Sequence, residues 1–298
     1  MKRSLRVIYG VVISILVLIV VWVCWSLLSH RMPWQKHWKT GHQLTVVTYN
    51  TNGMLVDKKA EDKLAMLDYV KKLDADIVCL QEVLVYKNPN RFTRPDLREA
   101  MREYPYTYYD FKVYNSRRQF GNVVFSRYPL INKQTIRYES QSNISSQCDV
   151  VVGQDTLRLV VNHLESFRLN NSDFSLDSLT ANTLRESSLN RKLTYASRLR
   201  RQQAYSVRKA IHYSPYPVIA VGDFNAIPLS TVYWIMNMGL RDCYAESSVG
   251  RYGSTYERKG IRVRIDYIFT SRALKPLACR VGKERYSDHY PVIATIGW

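Results

Sequence analysis

The sequence predicts an α/β domain behind an N-terminal membrane-spanning helix, and three observations predict it. Short apolar, largely β-branched runs recur along the chain, most of them ending at a carboxylate, an amide or a histidine. Between the first two runs lies a stretch with apolar residues at helical spacing, and strand–helix–strand order packs as α/β. Ahead of both, residues 7–29 are 23 consecutive residues without a charge, and about 20 suffice to cross a bilayer as a helix.

The 298 residues, 46% of them hydrophobic, suit one domain of about 250 residues plus an appendage. The expected division is a basic flank at 1–6, the span at 7–29, a tether at 30–42 and a catalytic domain at 43–298. A cleaved signal peptide has an apolar region of roughly 7–15 residues and a small-residue cleavage site. Trp22 and Val23 ahead of Cys24 also argue against lipoprotein processing, so the span reads as an uncleaved single-pass anchor. Trp34 and Trp38 in the tether suit the headgroup level. Lys2, Arg3 and Arg6 before the span nearly balance Arg31, Lys36 and Lys39 after it. The expected orientation has the N-terminus inside and the domain on the outer face.

The formal charge is +18, which suits a polyanionic substrate or an anionic membrane surface. The five cysteines show no framework spacing and no CxxC, which argues against a disulfide scaffold. Cys79 falls in an apolar strand and reads as core; a disulfide among Cys148, Cys243 and Cys279 stays open.

In order, LTVVTYN at 44–50 is a strand ending on Asn50. Residues 60–73 form a helix with Leu64, Leu67, Val70 and Leu73 on its apolar face, and DIVCLQE at 76–82 is a strand ending on Glu82. Residues 86–119 read as loop, with a short helix at 94–103 and an aromatic segment at 104–109. A strand begins at Gly121 and breaks before Pro129. Another, 156–164, carries His163 at its end, and 166–190, rich in Ser, Asn and Thr, reads as an inserted loop.

Residues 191–212 are helical, with Leu193, Ala196, Leu199, Ala204, Val207 and Ile211 as the buried side. Arg191, Lys192, Arg198, Arg200, Arg201, Arg208 and Lys209 lie in a stretch with no acid between Ser187 and Gly222. That is either a polyanion-binding face or an ordinary solvated one. The strand 218–221 stops at Gly222, after which alternation puts Asp223 and Asn225 on one side; a plain turn is the competing reading. A helix at 231–238 follows, then a strand at 264–269 containing Asp266. The last strand, 290–296, comes directly after Ser287, Asp288 and His289.

Open α/β sheets place their chemistry at the carboxyl ends of strands. Asn50, Glu82, His163, Asp223, Asn225, Asp266, Asp288 and His289 gather there or beside a strand. Carboxylates and amides suit a hard cation, Mg²⁺ or Mn²⁺; zinc would want HExxH or paired CxxC, and neither occurs. Two histidines beside several acids also supply what phosphoester cleavage needs: a group to polarise water and groups to neutralise charge growing at phosphorus.

The motifs TYN (48–50), LQE (80–82), GNVVFSRYP (121–129), NHL (162–164), GDFNA (222–226), IDYI (265–268) and SDHYP (287–291) resemble, in order, those of the endonuclease/exonuclease/phosphatase superfamily. The resemblance spans residues 44–296 and implies a four-layer α/β/β/α sandwich of two facing mixed sheets, with a divalent-metal site at the rim. It implies Glu82 as chief metal ligand, with Asn50 assisting and Asp288 completing a second position. Asp223 would orient or deprotonate the attacking water, Asn225 would bind the scissile phosphate, and His163 would donate to phosphate oxygens. Asp266 would orient His289, which stabilises the transition state or transfers a proton; Asp223 and His289 stay open as the base.

The expectation is therefore a membrane-anchored phosphoesterase that cleaves phosphodiester bonds, foremost of nucleic acid, which the basic helix favours. A sphingomyelinase-like lipid or inositol-phosphate phosphoesterase is the alternative, favoured by the anchor, with Phe167, Phe174 and Leu176 as candidate apolar contacts. A non-catalytic binding module would have lost a key acid or histidine, and none is missing. No protein partner is implied.

Overall fold

In β1 (Gln43–Asn50) and β8 (Val218–Asp223), alternate residues serve two different cores. Leu44, Val46, Ile219 and Val221 enter the layer between two sheets. Val47 and Tyr49 pack outward under one pair of helices, Val218 and Ala220 under another. Strands buried on both faces read as unbroken apolar runs, which is why these two were visible in the sequence.

The computed structural model describes residues 41–55, 58–115, 117–167, 188–247, 253–258 and 260–298. The expected span at 7–29 and most of the tether and of the insertion at 166–190, with Phe174 and Leu176, lie outside them. Among the described residues no helix is long and apolar enough to cross a membrane.

One six-stranded sheet has the order β13 (Lys275–Val281), β14 (Val292–Gly297), β1, β2 (Ile77–Tyr86), β4 (Arg118–Ser126), β3 (Tyr106–Asn115). The other runs β5 (Leu130–Ile136), β6 (Ile144–Val152), β7 (Asp155–His163), β8, β12 (Asp266–Ser271), β9 (Leu240–Asp242). Each is mixed, because β1 pairs with β2 and β7 with β8 in parallel amid antiparallel neighbours. Helices α1 (Ala60–Lys72) and α2 (Arg94–Ala100) cover the first sheet through Met66, Leu67, Val70 and Leu97. Helices α3 (Ser188–His212) and α4 (Thr231–Asn237) cover the second through Ala204, Val207, Ile211, Val232 and Met236. The result is the expected α/β/β/α sandwich. A short α5 (Cys243–Ser247) and a hairpin of β10 (Tyr256–Arg258) and β11 (Ile261–Val263) complete it.

Several expectations shift. β2 does not stop at Glu82 but runs on to Tyr86. The aromatic segment at 104–109 leads into β3. In α1 the buried positions are Lys63, Met66, Leu67 and Val70, while Leu64 is 41% exposed. Helix α2 ends at Ala100. β6 escaped notice because Ser145, Ser146 and Asp149 are polar yet fully buried, Asp149 against Arg158 across the β6–β7 hairpin.

Cys79, Cys148, Cys243 and Cys279 are all buried and free, so the disulfide left open by the sequence does not form. Burial pushes the Cys148 thiol up to about 12 and Cys79 and Cys243 well above the usual range. Thiolates are the reactive species. A thiol reagent at pH 8 is therefore expected to leave these four unlabelled in the native protein and to label all four after denaturation, by peptide mapping. Native labelling at Cys148 would contradict the packing.

Candidate active site

Sheet register brings the chemistry to one rim. His163, the last residue of β7, lies opposite Asp223, the last of β8, and Asp223 lies opposite Asp266, the first of β12. In the facing sheet Asn50 ends β1 opposite Gln81 of β2.

Glu82 reaches this rim because β2 bulges. Its pairing with β4 shifts between Leu80 and Val83, and Glu82 takes the left-handed conformation with φ 55°. Bulges re-aim side chains, and such strain in a residue other than glycine persists where surroundings enforce it. Thr51 Oγ1 donates to the main-chain oxygens of Gln81 (2.9 Å) and Glu82 (3.1 Å), which fixes the bulge. The Glu82 carboxylate accepts from Asn50 Nδ2 at 3.1 Å and lies 3.2 Å from His163 Nε2. Burial by itself favours the neutral acid, but His163, Asn50 and His289 outweigh it and hold the carboxyl at about 2. Conversely, burial opposes charge on His163, yet Glu82 and then Asp223 raise it above the ordinary value.

Asn50 joins the two sheets: the same Nδ2 donates to Asp223 Oδ2 at 2.9 Å. Asp223 Oδ1 accepts from the Asn225 main-chain N–H at 2.8 Å, closing an Asx turn around Asn225, whose φ is 48°. Asn225 Nδ2 donates to Leu164 O at 2.9 Å and to Asp223 Oδ2 at 3.2 Å. The turn expected of this motif is thus present, and it holds Asp223 and Asn225 side by side at the rim. Burial pushes Asp223 up to about 6; Asp266 adds to the rise, and His289 and His163 oppose it.

His289 Nδ1 lies 2.9 Å from Asp266 Oδ2, and its Nε2 lies 3.7 Å from Asp223 Oδ2. Burial disfavours its charge, but Asp266, Asp223 and Asp288 outweigh it and carry it up to about 10. Burial raises Asp288 against the pull of His289. Three supporting features lay beyond the candidate residues drawn from the sequence. Ser287 Oγ donates to Asn50 O at 3.0 Å and accepts from His289 N at 3.2 Å, tying β1 to the 287–289 loop. Thr255 Oγ1 accepts from Ile265 N and Asp266 N, both at 3.0 Å. The β10–β11 hairpin holds the loop through Glu257 N to Asp288 O at 2.8 Å and lays the Tyr256 ring on His289, centroids 4.9 Å apart.

Glu82, Asp223, Asn225, Asp288 and His289 line one cavity of about 640 Å³. Asn50, His163 and Asp266 are buried and brace the lining residues by the contacts above. All eight predicted residues are brought together. Arg127, just after β4, is paired with Asp74 and Asp76.

The donor set fits a hard divalent cation: three carboxylates, Glu82, Asp223 and Asp288, share the cavity wall with the Asn50 amide directly behind. Glu82, its side chain 25% exposed, keeps acceptor capacity toward the cavity. The tightest acid–histidine cluster is a different one, Asp223, Asp266 and His289 with ligand-type atoms within 4.8 Å. It is wholly buried, and Asp266 Oδ2 is committed to His289 Nδ1, so it reads as a hydrogen-bonded triad rather than a cation seat.

Facing mixed sheets with an acid, amide and histidine rim define a metal-assisted hydrolase of phosphoric esters. Residues 47–289 match the profile of the Endonuclease/Exonuclease/phosphatase family, and the chain belongs to that family. It is accordingly a divalent-metal-dependent hydrolase acting on phosphoric ester bonds. A comparison with curated proteins gave no match. Among solved structures, an endonuclease/exonuclease/phosphatase from Beutenbergia cavernae DSM 12333 superposes with a TM-score of 0.63 at 18% identity, covering 86% of this chain and 71% of that one. Truncated Caenorhabditis elegans TDP2 gives 0.61 at 17% identity, with coverage of 87% and 99%. D. rerio TDP2 complexed with a single-strand DNA product gives 0.60 at 16%, with coverage of 86% and 99%. At these identities the likeness is one of fold.

Proposed function

We propose that this chain is a membrane-anchored phosphodiesterase that cleaves nucleic acid, with Mg²⁺ as its cation and Mn²⁺ as a substitute. The reading rests on one observation: Glu82 and Asn50 of one sheet meet Asp223, Asn225 and the His289–Asp266 pair of the other around a single cavity. A bound cation would be held by Glu82 with Asn50 and Asp288, and would neutralise charge on the phosphoryl oxygens. Asp223, steadied by Asn50 and Asn225, takes the proton of the water attacking in line. His289, oriented by Asp266, donates to the developing oxyanion. Asn225 binds the scissile phosphate by turning to it the Nδ2–H that it otherwise gives to Asp223 at 3.2 Å. His163, expected to donate to phosphate oxygens, stands behind the lining residues and holds Glu82 in place.

Nucleic acid is favoured by the arginines on the cavity wall, Arg200, Arg201 and Arg258, and by the aromatic rings of Phe167 and Tyr256 beside them. We place the domain on the outer face, as the flanking charges suggest. Ile227, Leu229, Trp234 and Met238 are exposed by 51%, 49%, 48% and 65%, and Ile227 lines the cavity. That apolar border is what favours the second reading, a lipid or inositol-phosphate phosphoesterase.

The test is a substrate panel on the full chain in detergent: single-stranded DNA and RNA, sphingomyelin, and glycerophosphoinositol. The expected result is oligonucleotide cleavage that EDTA lowers about a hundredfold or more and that Mg²⁺ or Mn²⁺ restores, as befits a term worth several kcal/mol. Faster cleavage of a lipid substrate selects the second reading. Hydrolysis indifferent to EDTA removes the metal from the proposal.

A further inference from the structure

Arg200 was expected on the basic outer face of α3, and it is not there: it is 4% exposed, on the face that carries Ala196, Leu199, Gln203 and Ala204. A guanidinium carried into a protein interior is costly unless a partner balances it. The comparison within this fold is Arg264, 6% exposed, which donates to Asp242 Oδ2 at 2.7 Å and is thereby accounted for. Among the described residues Arg200 has no such carboxylate, and its Nε and Nη2 are both buried and without an acceptor. Asp223 and Glu165 act on its charge from a distance, but Glu165 Oε2 is engaged by Ser140 Oγ at 2.8 Å and Gln203 Nε2 at 3.4 Å.

Nε and Nη2 form one edge of the guanidinium, the fork that grips two oxygens of a phosphate or carboxylate side-on. The Phe167 ring covers the face of the same group at 4.0 Å, so it is already stacked and oriented. Gln203, one helical turn on, fixes that part of α3 to the loop after His163: its Oε1 accepts from Glu165 N at 2.8 Å and its Nε2 donates to Glu139 O at 3.0 Å. Arg200 is therefore built in, its Nε and Nη2 unpaired among the described residues, and it is one of the residues lining the cavity that holds Asp223, Asn225 and His289. Arg201 and Arg258 line that wall too, opposite in charge to Glu82 and Asp288. The cavity's 640 Å³ is in the range of pockets for whole ligands, about 300–1,000 Å³, and well beyond one phosphate.

We propose that Arg200, assisted by Arg201 and Arg258, forms a subsite for a second phosphate of the substrate, one linkage from the scissile phosphorus. This deepens the phosphodiesterase reading and rests on it. The second phosphate has two possible sources, the next phosphate of a nucleic-acid strand or the phosphomonoester of a phosphorylated inositol headgroup. The nucleic-acid source follows from the leading function.

The test pairs substrates that share a scissile bond and differ by one anion: pTpT against TpT, and glycerophosphoinositol 4-phosphate against glycerophosphoinositol. Wild-type protein is expected to favour the more phosphorylated member of the nucleotide pair at least tenfold in kcat/KM, mostly through KM, and Arg200→Gln to lose that preference. Preference in the inositol pair alone keeps the subsite and changes its source. A preference that survives in Arg200→Gln, or none in either pair, overturns the subsite. Should Arg200→Gln fail to fold, Arg200→Lys keeps the charge without the fork, and a preference lowered at least threefold is expected.

A second readout needs no turnover. In the full chain stripped of metal with EDTA, millimolar inorganic phosphate is expected to raise the Tm of wild type at least twice as far as that of Arg200→Gln; equal shifts overturn the proposal. If wild type hydrolyses none of the four substrates, the phosphodiesterase reading falls, and the phosphate comparison still decides the subsite.

Discussion

Glu82→Gln is expected to lower phosphodiester hydrolysis about a thousandfold while leaving the protein folded. The substitution keeps the length of the side chain and an oxygen for Asn50 Nδ2, so the β2 bulge and its Thr51 contacts have no steric reason to change. It removes the charge that would hold the cation and that now faces His163 Nε2 at 3.2 Å. Loss of a fixed electrostatic partner in a dry site costs about 10²–10³ in rate, and a weakened cation seat adds to it, for a total of roughly 4 kcal/mol at about 1.4 kcal/mol per tenfold. Calorimetric titration with Mg²⁺ should show affinity lowered by more than tenfold, with a circular-dichroism spectrum like that of wild type. Activity within tenfold of wild type at saturating Mg²⁺ would remove Glu82 from the site.

Gly222→Ala should be the most damaging single change in the core. Gly222 has φ +130°, and a Cβ there would meet Asn162 O at 1.9 Å and Asn162 C and N at 2.8 Å. These are backbone atoms of the paired strand, Asn162 being the partner of Gly222 in the β7–β8 register, so no rotamer change relieves the clash. Strain of about 1–3 kcal/mol for the conformation and about 1–3 kcal/mol for overpacking together suggest roughly 4 kcal/mol. For a domain of this size that lowers Tm by roughly 10 °C. The damage is also functional, because the next pair in register is His163 with Asp223. A Gly222→Ala protein with wild-type Tm and activity would show that the close approach of β7 and β8 has been misread.

Reading the rim from sequence succeeded where strand periodicity is local. The runs before Asn50, His163 and Asp223 announce both a buried strand and its end, and the order of motifs carried Glu82, Asp266, Asp288 and His289 with them. It went astray at Glu82 itself, where an acid in an apolar run read as the strand's end; the strand continues through a bulge instead. It also misplaced Arg200, since a cation among six other basic residues gives no local sign that it faces inward. Ser287 and Thr255 were missed for a similar reason. Their work is to bond main-chain atoms of distant segments, Ser287 to Asn50 across 237 positions, and a hydroxyl in a loop looks the same whether or not such a partner exists.

From the sequence by itself came the α/β class, the eight polar residues of the rim and the chemistry they suit, because burial periodicity and side-chain donor type are properties of short segments; the four-layer arrangement came only from the resemblance that the ordered motifs carry. Tertiary structure alone decided which of the eight line the cavity and which stand behind them. It also decided that Asn50 bridges Glu82 to Asp223, and that one buried guanidinium is without a partner among the described residues. Those are pairings between strands of two different sheets, and the hydrogen-bond geometry that sets them exists only once the sheets face each other.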